Sequence, residues 1–169
     1  SNVEIIGNVY IKDSIIKSNS IIKPFVNIIN SKIGTNSQIG PFSNLRPSTV
    51  LKSNTKIGNF VEIKKSTIGD NSKVPHLSYI GDTEMGSNVN VGAGSITCNY
   101  DGFEKHKTVI KDNVFLGSDT KLVAPIIIGK ESTTGAGTVL SKDLPDGSLG
   151  ITRVKEKHLP NWKRKPKKK

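Results

Sequence analysis

Aliphatic residues return along this chain every six positions, often with glycine next, as in Ile33-Gly34, Ile39-Gly40, Leu45, Leu51, Ile57-Gly58 and Ile63. The register slips by one before Ile68-Gly69, then runs through Val74, Ile80-Gly81, Met85-Gly86 and Val91-Gly92. The rhythm is present upstream at Ile5, Ile11, Ile16, Ile22 and Ile28. It is present downstream at Ile110, Leu116-Gly117, Leu122, Ile128-Gly129, Thr134-Gly135 and Leu140. Three units make one longer period, which carries Ile28 to Leu45, Leu45 to Ile63 and Val74 to Val91. Each such period predicts one triangular coil with three short flat sides, the aliphatic residue pointing inward and the following glycine allowing a tight or left-handed corner. Small residues four places on (Ser37, Ser43, Thr49, Thr55, Thr67, Ser72, Ser95, Ser132, Thr138) are expected to stack on their counterparts one coil away. Each side then joins a parallel sheet along the axis, and about seven or eight coils make a prism roughly 35 Å long. An antiparallel sandwich would also place Gly, Asn and Asp at turns, but has no reason to keep a six-residue period over most of the chain.

The pattern breaks once on a large scale. Thirteen residues separate Thr97 from Ile110 where six would serve, so about seven residues within 98–109 leave the prism as a loop. Asn99, Tyr100, Asp101, Gly102, Lys105, His106 and Lys107 concentrate there, and a loop on a rigid stack is a common place for ligand chemistry.

Composition sharpens this picture. Aromatic residues are only 5% of the chain, so the core is built from Ile, Val and Leu, which argues for strands over helices. No run of about 18 apolar residues occurs, nor a basic leader with an apolar stretch, so a soluble cytoplasmic protein without integral membrane association is expected. Cys98 is the sole cysteine, which excludes an intrachain disulfide and the paired-cysteine zinc motifs. Of the net charge of +11, residues 151–169 carry nine Lys or Arg against Glu156 alone, leaving +3 for residues 1–150. No aromatic-basic reading motif accompanies the final run from Lys163 to Lys169. A solvated tail is expected there, and no specific nucleic-acid partner.

The repeat resembles that of the hexapeptide-repeat acyltransferases. Within them the chain is most similar to the C-terminal acetyltransferase domains of the bacterial bifunctional N-acetylglucosamine-1-phosphate uridyltransferase / glucosamine-1-phosphate acetyltransferases. The matching segments are Gly40-Pro41-Phe42, Leu45-Arg46-Pro47, Gly58 to Lys65, His76 to Asp82, Asn88 to Gly94, Thr97 to Gly102, Gly117 to Thr120 and Leu122 to Pro125. The resemblance implies an all-β, left-handed parallel β-helix over residues 1–140 with the loop at about 98–109, and a C-terminal extension and basic tail over 141–169. The family's larger N-terminal uridyltransferase domain is expected to be absent. A homotrimer with active sites between subunits is implied, as is acetyl transfer from acetyl-CoA to the amine of glucosamine 1-phosphate. A hexapeptide acyltransferase acting on another amine or sugar substrate is the alternative.

That reaction requires cations for a phosphate, a base for an ammonium group and donors for an oxyanion. Resemblance sorts the polar residues accordingly. His76 is the candidate base, imidazole titrating near neutral pH, and Glu62 is the carboxylate expected to orient it. Arg46, Lys64 and Lys105 form the phosphate grip, with Tyr79 and Asn90 on the sugar phosphate. Asn99 and Tyr100 belong to the acetyl-transfer pocket. Ala93, Ser118, Ala136 and Arg153 line the acetyl-CoA groove, where small side chains leave room for pantetheine. Cys98 needs no covalent role, and His76, His106 and His158 lack a zinc-ligand pattern, so no metal is expected. Pro75 restricts the backbone entering His76. Trp162 is expected to pack the tail onto a neighbouring coil or subunit.

Overall fold

The structure, a computed structural model, describes residues 2–164. Lys165–Lys169, where the basic run ends, lie outside the described residues. Among the described residues, 24 strands of two to four residues form three parallel sheets of nine, eight and seven strands, one on each side of a left-handed β-helix. We call these the first, second and third sides, in the order the chain visits them. Register bears out the three-unit period: Gln38 pairs with Lys56, and Lys56 with Lys73, one coil apart each time.

The core is one column of aliphatic side chains. Ile22, Ile28, Ile33, Ile39, Leu45, Ile57, Ile63, Ile68, Ile80 and Leu116 are at most 1% exposed. Each such side chain stabilises the fold by about 1.5–3 kcal/mol. Between them run buried hydroxyls: Thr55 Oγ1 donates to Ser37 Oγ at 2.9 Å, and Ser20 Oγ donates to the Gly34 carbonyl at 2.9 Å. These bonds satisfy groups that would be costly to bury alone. Thr67 departs from expectation. It is half-buried on the outer face, and Ser66 takes the inward place, because the one-residue slip moves the whole pleat.

The glycines after the aliphatic positions have a different reason from the one expected. Apart from Gly40, they do not adopt left-handed backbone; they let successive coils approach. A Cβ on Gly58 would stand 1.7 Å from the Pro75 carbonyl oxygen. The left-handed corners fall on other residues. Asn19, Asn36, Asn54, Asn71, Asn88 and Asn113 turn the chain from the third side to the first, with φ between 56° and 61°. Asn and Asp tolerate this region better than most residues. The corner between first and second sides instead carries Phe25, Phe42, Phe60 and Leu77 at positive φ, in consecutive coils. Their rings stack, with centroids 4.8 Å apart for Phe25 and Phe42 and 5.5 Å for Phe42 and Phe60. This apolar ridge is exposed in the single chain.

The sheets run past residue 140: the strand Leu149–Gly150 pairs with Thr133–Thr134. Beyond it the chain is exposed. Trp162, expected to pack the tail, does not do so within this chain and is 69% exposed. No helix among the described residues is long and apolar enough to cross a membrane.

Candidate active site

The loop interrupts the second-to-third corner, between the register partners Thr83 and Thr108, whose coil is longer than its neighbours by the extruded residues. Asp101 gives the loop its shape. Its Oδ1 accepts the backbone N–H groups of Phe103 and Glu104, both at 2.8 Å, and its Oδ2 lies 2.7 Å from His106 Nε2. The Glu104 N–H, the His106 ring and the Phe103 N–H hold the Asp101 carboxyl far below its ordinary range. The His106 N–H donates to the Asn99 carbonyl at 2.8 Å, and Tyr100 bridges to Lys105, so the loop folds back onto itself. Tyr100 stays exposed, its hydroxyl donating to the Gly102 carbonyl at 2.6 Å.

The second side presents the cations. Asn44, Glu62 and Tyr79 are register partners in successive coils, and Arg46 and Lys64 emerge two positions after Asn44 and Glu62. Arg46 Nη1 donates to Glu62 Oε1 at 2.9 Å, and Asn44 Nδ2 donates to Glu62 Oε2 at 3.1 Å. Lys64 Nζ lies 3.2 Å from Asp82 Oδ2. Lys105, from the loop, comes close enough to the Lys64 amine for each to act on the other. That contact, with Asp82, raises the Lys64 pKa against the opposing effect of burial. The same contact and the charges of Lys64 and Arg46 lower that of Lys105. Arg46, Lys64 and Lys105 thus lie near one another.

The residue that organises them was not singled out from sequence. Asp82 turns the second-to-third corner at φ 48°. Its side chain is 9% exposed and also accepts Asn99 Nδ2 at 2.5 Å, with Lys65 Nζ at 3.6 Å. Burial alone would raise its pKa; the bonds from Lys64 and Asn99 and the two lysine charges outweigh that and hold it low. One carboxylate therefore positions both Lys64 and the buried Asn99 of the loop. Neither strand beside it, Tyr79–Gly81 or Thr83–Met85, contains a lysine, so no local signal marked Asp82 in the sequence.

His76 ends the strand Lys73–His76 on the first side and leads into the corner at Leu77. Phe42, Phe60 and Leu77 form one wall of a groove of about 500 Å³ whose other wall is Asn44, Glu62 and Tyr79. Glu62, expected to orient His76, has both oxygens engaged by Arg46 and Asn44. The His76 ring meets Asn59 instead, Nδ1 to Oδ1 at 3.1 Å. Asn90 stands apart from the cations within the chain, on the first side beside Lys73.

Ala93, Ser118 and Ala136 fall on one edge. The Asp119 N–H donates to the Ala93 carbonyl at 2.7 Å and the Gly137 N–H to the Ser118 carbonyl at 2.8 Å, stacking three corners in consecutive coils. Arg153 extends the column, its Nε donating to the Ala136 carbonyl at 3.1 Å. This is the edge that carries the aromatic ridge in earlier coils. Among the described residues no three His, Cys, Asp or Glu side chains converge as a metal site would require.

Comparison with known proteins agrees with this architecture. A bacterial transferase hexapeptide model of six repeats matches residues 30–65, and a model of the hexapeptide repeat of succinyl-transferase matches 107–142. The chain is 53% identical over 167 residues to the bifunctional protein GlmU of Thermodesulfovibrio yellowstonii, covering 99% of this chain and 37% of that protein. It is 50% identical over 154 residues to that of Nitrosomonas europaea, covering 91% and 34%. The chain thus spans about a third of the length of the curated relatives it matches. Among solved structures, a variant of perosamine N-acetyltransferase from Caulobacter crescentus, in complex with CoA and GDP-perosamine, superposes with a TM-score of 0.62 at 25% identity. The match covers 69% of this chain and 53% of that one. The LpxA acyltransferase of Bacteroides fragilis shares the fold, with a TM-score of 0.65 at 18% identity over 85% of this chain and 65% of its own. On these similarities the chain belongs to the hexapeptide-repeat transferases, as a domain of the GlmU type.

Proposed function

We propose that this domain transfers the acetyl group of acetyl-CoA to the amine of α-D-glucosamine 1-phosphate, giving N-acetylglucosamine 1-phosphate in the cytoplasm. The observation that carries the reading is the convergence of Arg46, Lys64 and Lys105, anchored by Glu62 and Asp82, beside the groove that follows His76. A dianionic phosphate suits two cations on one rigid face joined by a third from the loop. His76 takes a proton from the amine, whose lone pair attacks the thioester carbonyl. The carbon–sulfur bond then breaks and CoA leaves as the thiol, carrying the second proton that the nitrogen loses as the amide forms, while His76 releases the first to solvent. Pantetheine lies along the small-residue edge of Ala93, Ser118 and Ala136, with Arg153 toward the nucleotide and Asn99 and Tyr100 near the acetyl group. The β-helix with its loop is the acetyl-transfer unit, and the extension from residue 141 supplies Arg153.

The test is CoA release with glucosamine 1-phosphate, against a panel of other amino sugars, serine and xenobiotic amines, without added nucleotide. Sugar-phosphate-dependent release supports the reading, and preference for another amine replaces it. Acetyl transfer that depends absolutely on UTP would also overturn it.

A homotrimer follows from the same reading. Phe25, Phe42, Phe60 and Leu77 form a solvent-facing apolar ridge, and Asn90 needs a neighbouring chain to reach a sugar phosphate held by Lys64. Sedimentation equilibrium at micromolar concentration is expected to give three times the chain mass. A mass of one chain would sink the inter-subunit site.

A further inference from the structure

We infer that Asn59 sets the working tautomer of His76, a role that rests on His76 being the base of the proposed acetyl transfer. Asn59 ends the strand Lys56–Asn59 and His76 ends Lys73–His76, and the two are register partners. Their side chains leave the same face one coil apart and meet at 3.1 Å, Nδ1 to Oδ1. An amide oxygen only accepts. The ring proton therefore sits on Nδ1, and Nε2 keeps its lone pair for the substrate.

The backbone holds the pair in place. Gly58 leaves no room for a Cβ against the Pro75 carbonyl, so the two strands touch immediately before the pair. Pro75 fixes its own φ, and the Leu77 N–H donates to the Asn59 carbonyl at 3.0 Å immediately after it. Asn59 and His76 thus sit between two tight backbone contacts. Glu62, its two oxygens committed to Arg46 and Asn44, is a positioning residue for the phosphate grip.

An amide differs from the carboxylate that often orients a catalytic imidazole, because it accepts the Nδ1 proton without adding charge. The outward side chains nearest along this sheet are Lys56 on the preceding strand, Lys73 on the same strand and uncharged Asn90 on the next. Among the described residues, no anion of this sheet replaces the missing charge at these register positions. Asn59 is thus a positioning residue whose work is directional.

The experiment is imidazole nitrogen NMR on the full chain labelled at histidine, with the His76 signals assigned through His76→Ala, alongside steady-state kinetics. Wild type is expected to show the Nδ1–H tautomer of neutral His76. Asn59→Ala is expected to shift the ring toward Nε2–H and lower kcat about tenfold, with both KM values changed less than about twofold. Asn59→Asp should keep the Nδ1–H form and most of the turnover, and move the acidic limb of kcat/KM to higher pH, because a carboxylate favours imidazolium. An Nε2–H tautomer in wild type overturns the inference, as does an unchanged tautomer in Asn59→Ala. Should Asn59→Ala fail to fold, the wild-type spectrum and the pH shift of Asn59→Asp decide the matter. Absence of sugar-dependent CoA release by wild type would remove the proposed function, and the tautomer spectra would still decide what Asn59 does.

Discussion

Replacing His76 with Ala is expected to lower acetyl transfer to glucosamine 1-phosphate by ~10²–10⁴-fold, leaving assembly and acetyl-CoA binding intact. Glucosamine 1-phosphate carries an ammonium group near neutral pH, and no nucleophile exists until that proton leaves. His76 stands exposed at a corner, outside the aliphatic column, so its removal opens no cavity. The loss should therefore fall on kcat with little change in thermal midpoint. It should also shrink as pH rises, since bulk hydroxide then supplies the free amine that the ring would have made. Free-CoA release by both proteins across pH, beside direct acetyl-CoA binding, measures all of this. Near-wild-type turnover by His76→Ala across the range would reject His76 as the base.

The second large effect is expected at the proposed phosphate grip. Arg46→Ala and Lys64→Ala should each raise the KM for glucosamine 1-phosphate by ~10–100-fold, the cost of one charge-assisted hydrogen bond, with the KM for acetyl-CoA little changed. Lys64→Ala should be the more damaging. It removes the nearer of two lysines from Asp82, whose other partner Asn99 lies in the loop. Arg46→Ala, by contrast, leaves Glu62 half-exposed with Asn44 still bonded. Arg46→Lys should rescue poorly, because a point charge cannot hold Glu62 and a phosphate with one planar fork. If either alanine variant lost acetyl-CoA binding and kept its affinity for the sugar phosphate, the two half-sites would have to be exchanged.

The coil architecture was legible in the sequence because its signal is periodic. A six-residue spacing that places Ile39, Ile57 and Val74 one above another leaves little freedom in fold, and the loop announced itself as the place where the count failed. Thr67 and the glycine corners were misjudged for one reason. Periodicity gives spacing, and it does not say which residue within a unit absorbs a slip or turns left-handed. The cationic residues were gathered in advance by the family resemblance alone; the structure adds that Arg46 and Lys64 sit at equivalent positions of successive coils. Asp82 and Asn59 were not so gathered. Their importance lies in partners a full coil away, Asn99, Lys64 and His76, and becomes visible only when side-chain directions are known.

The coil also acts as a reading frame. A residue's place within a side is set by its position in the six-residue unit, its face by which of the coil's three units it belongs to, and its height by the number of complete turns, so insertions fall into classes by length. One extra six-residue unit within a side before Asn90 would turn Ala93, Ser118 and Ala136 away from His76 by one face, separating the two substrates on a prism that still folds. A duplicated whole turn would restore the facing and displace it by about 4.8 Å along the axis. Extra residues extruded at a corner, as in the stretch between Cys98 and Thr108, leave the frame untouched. A lineage built on this frame can vary its loops freely and lengthen the edge of Ala93, Ser118 and Ala136 only in whole turns.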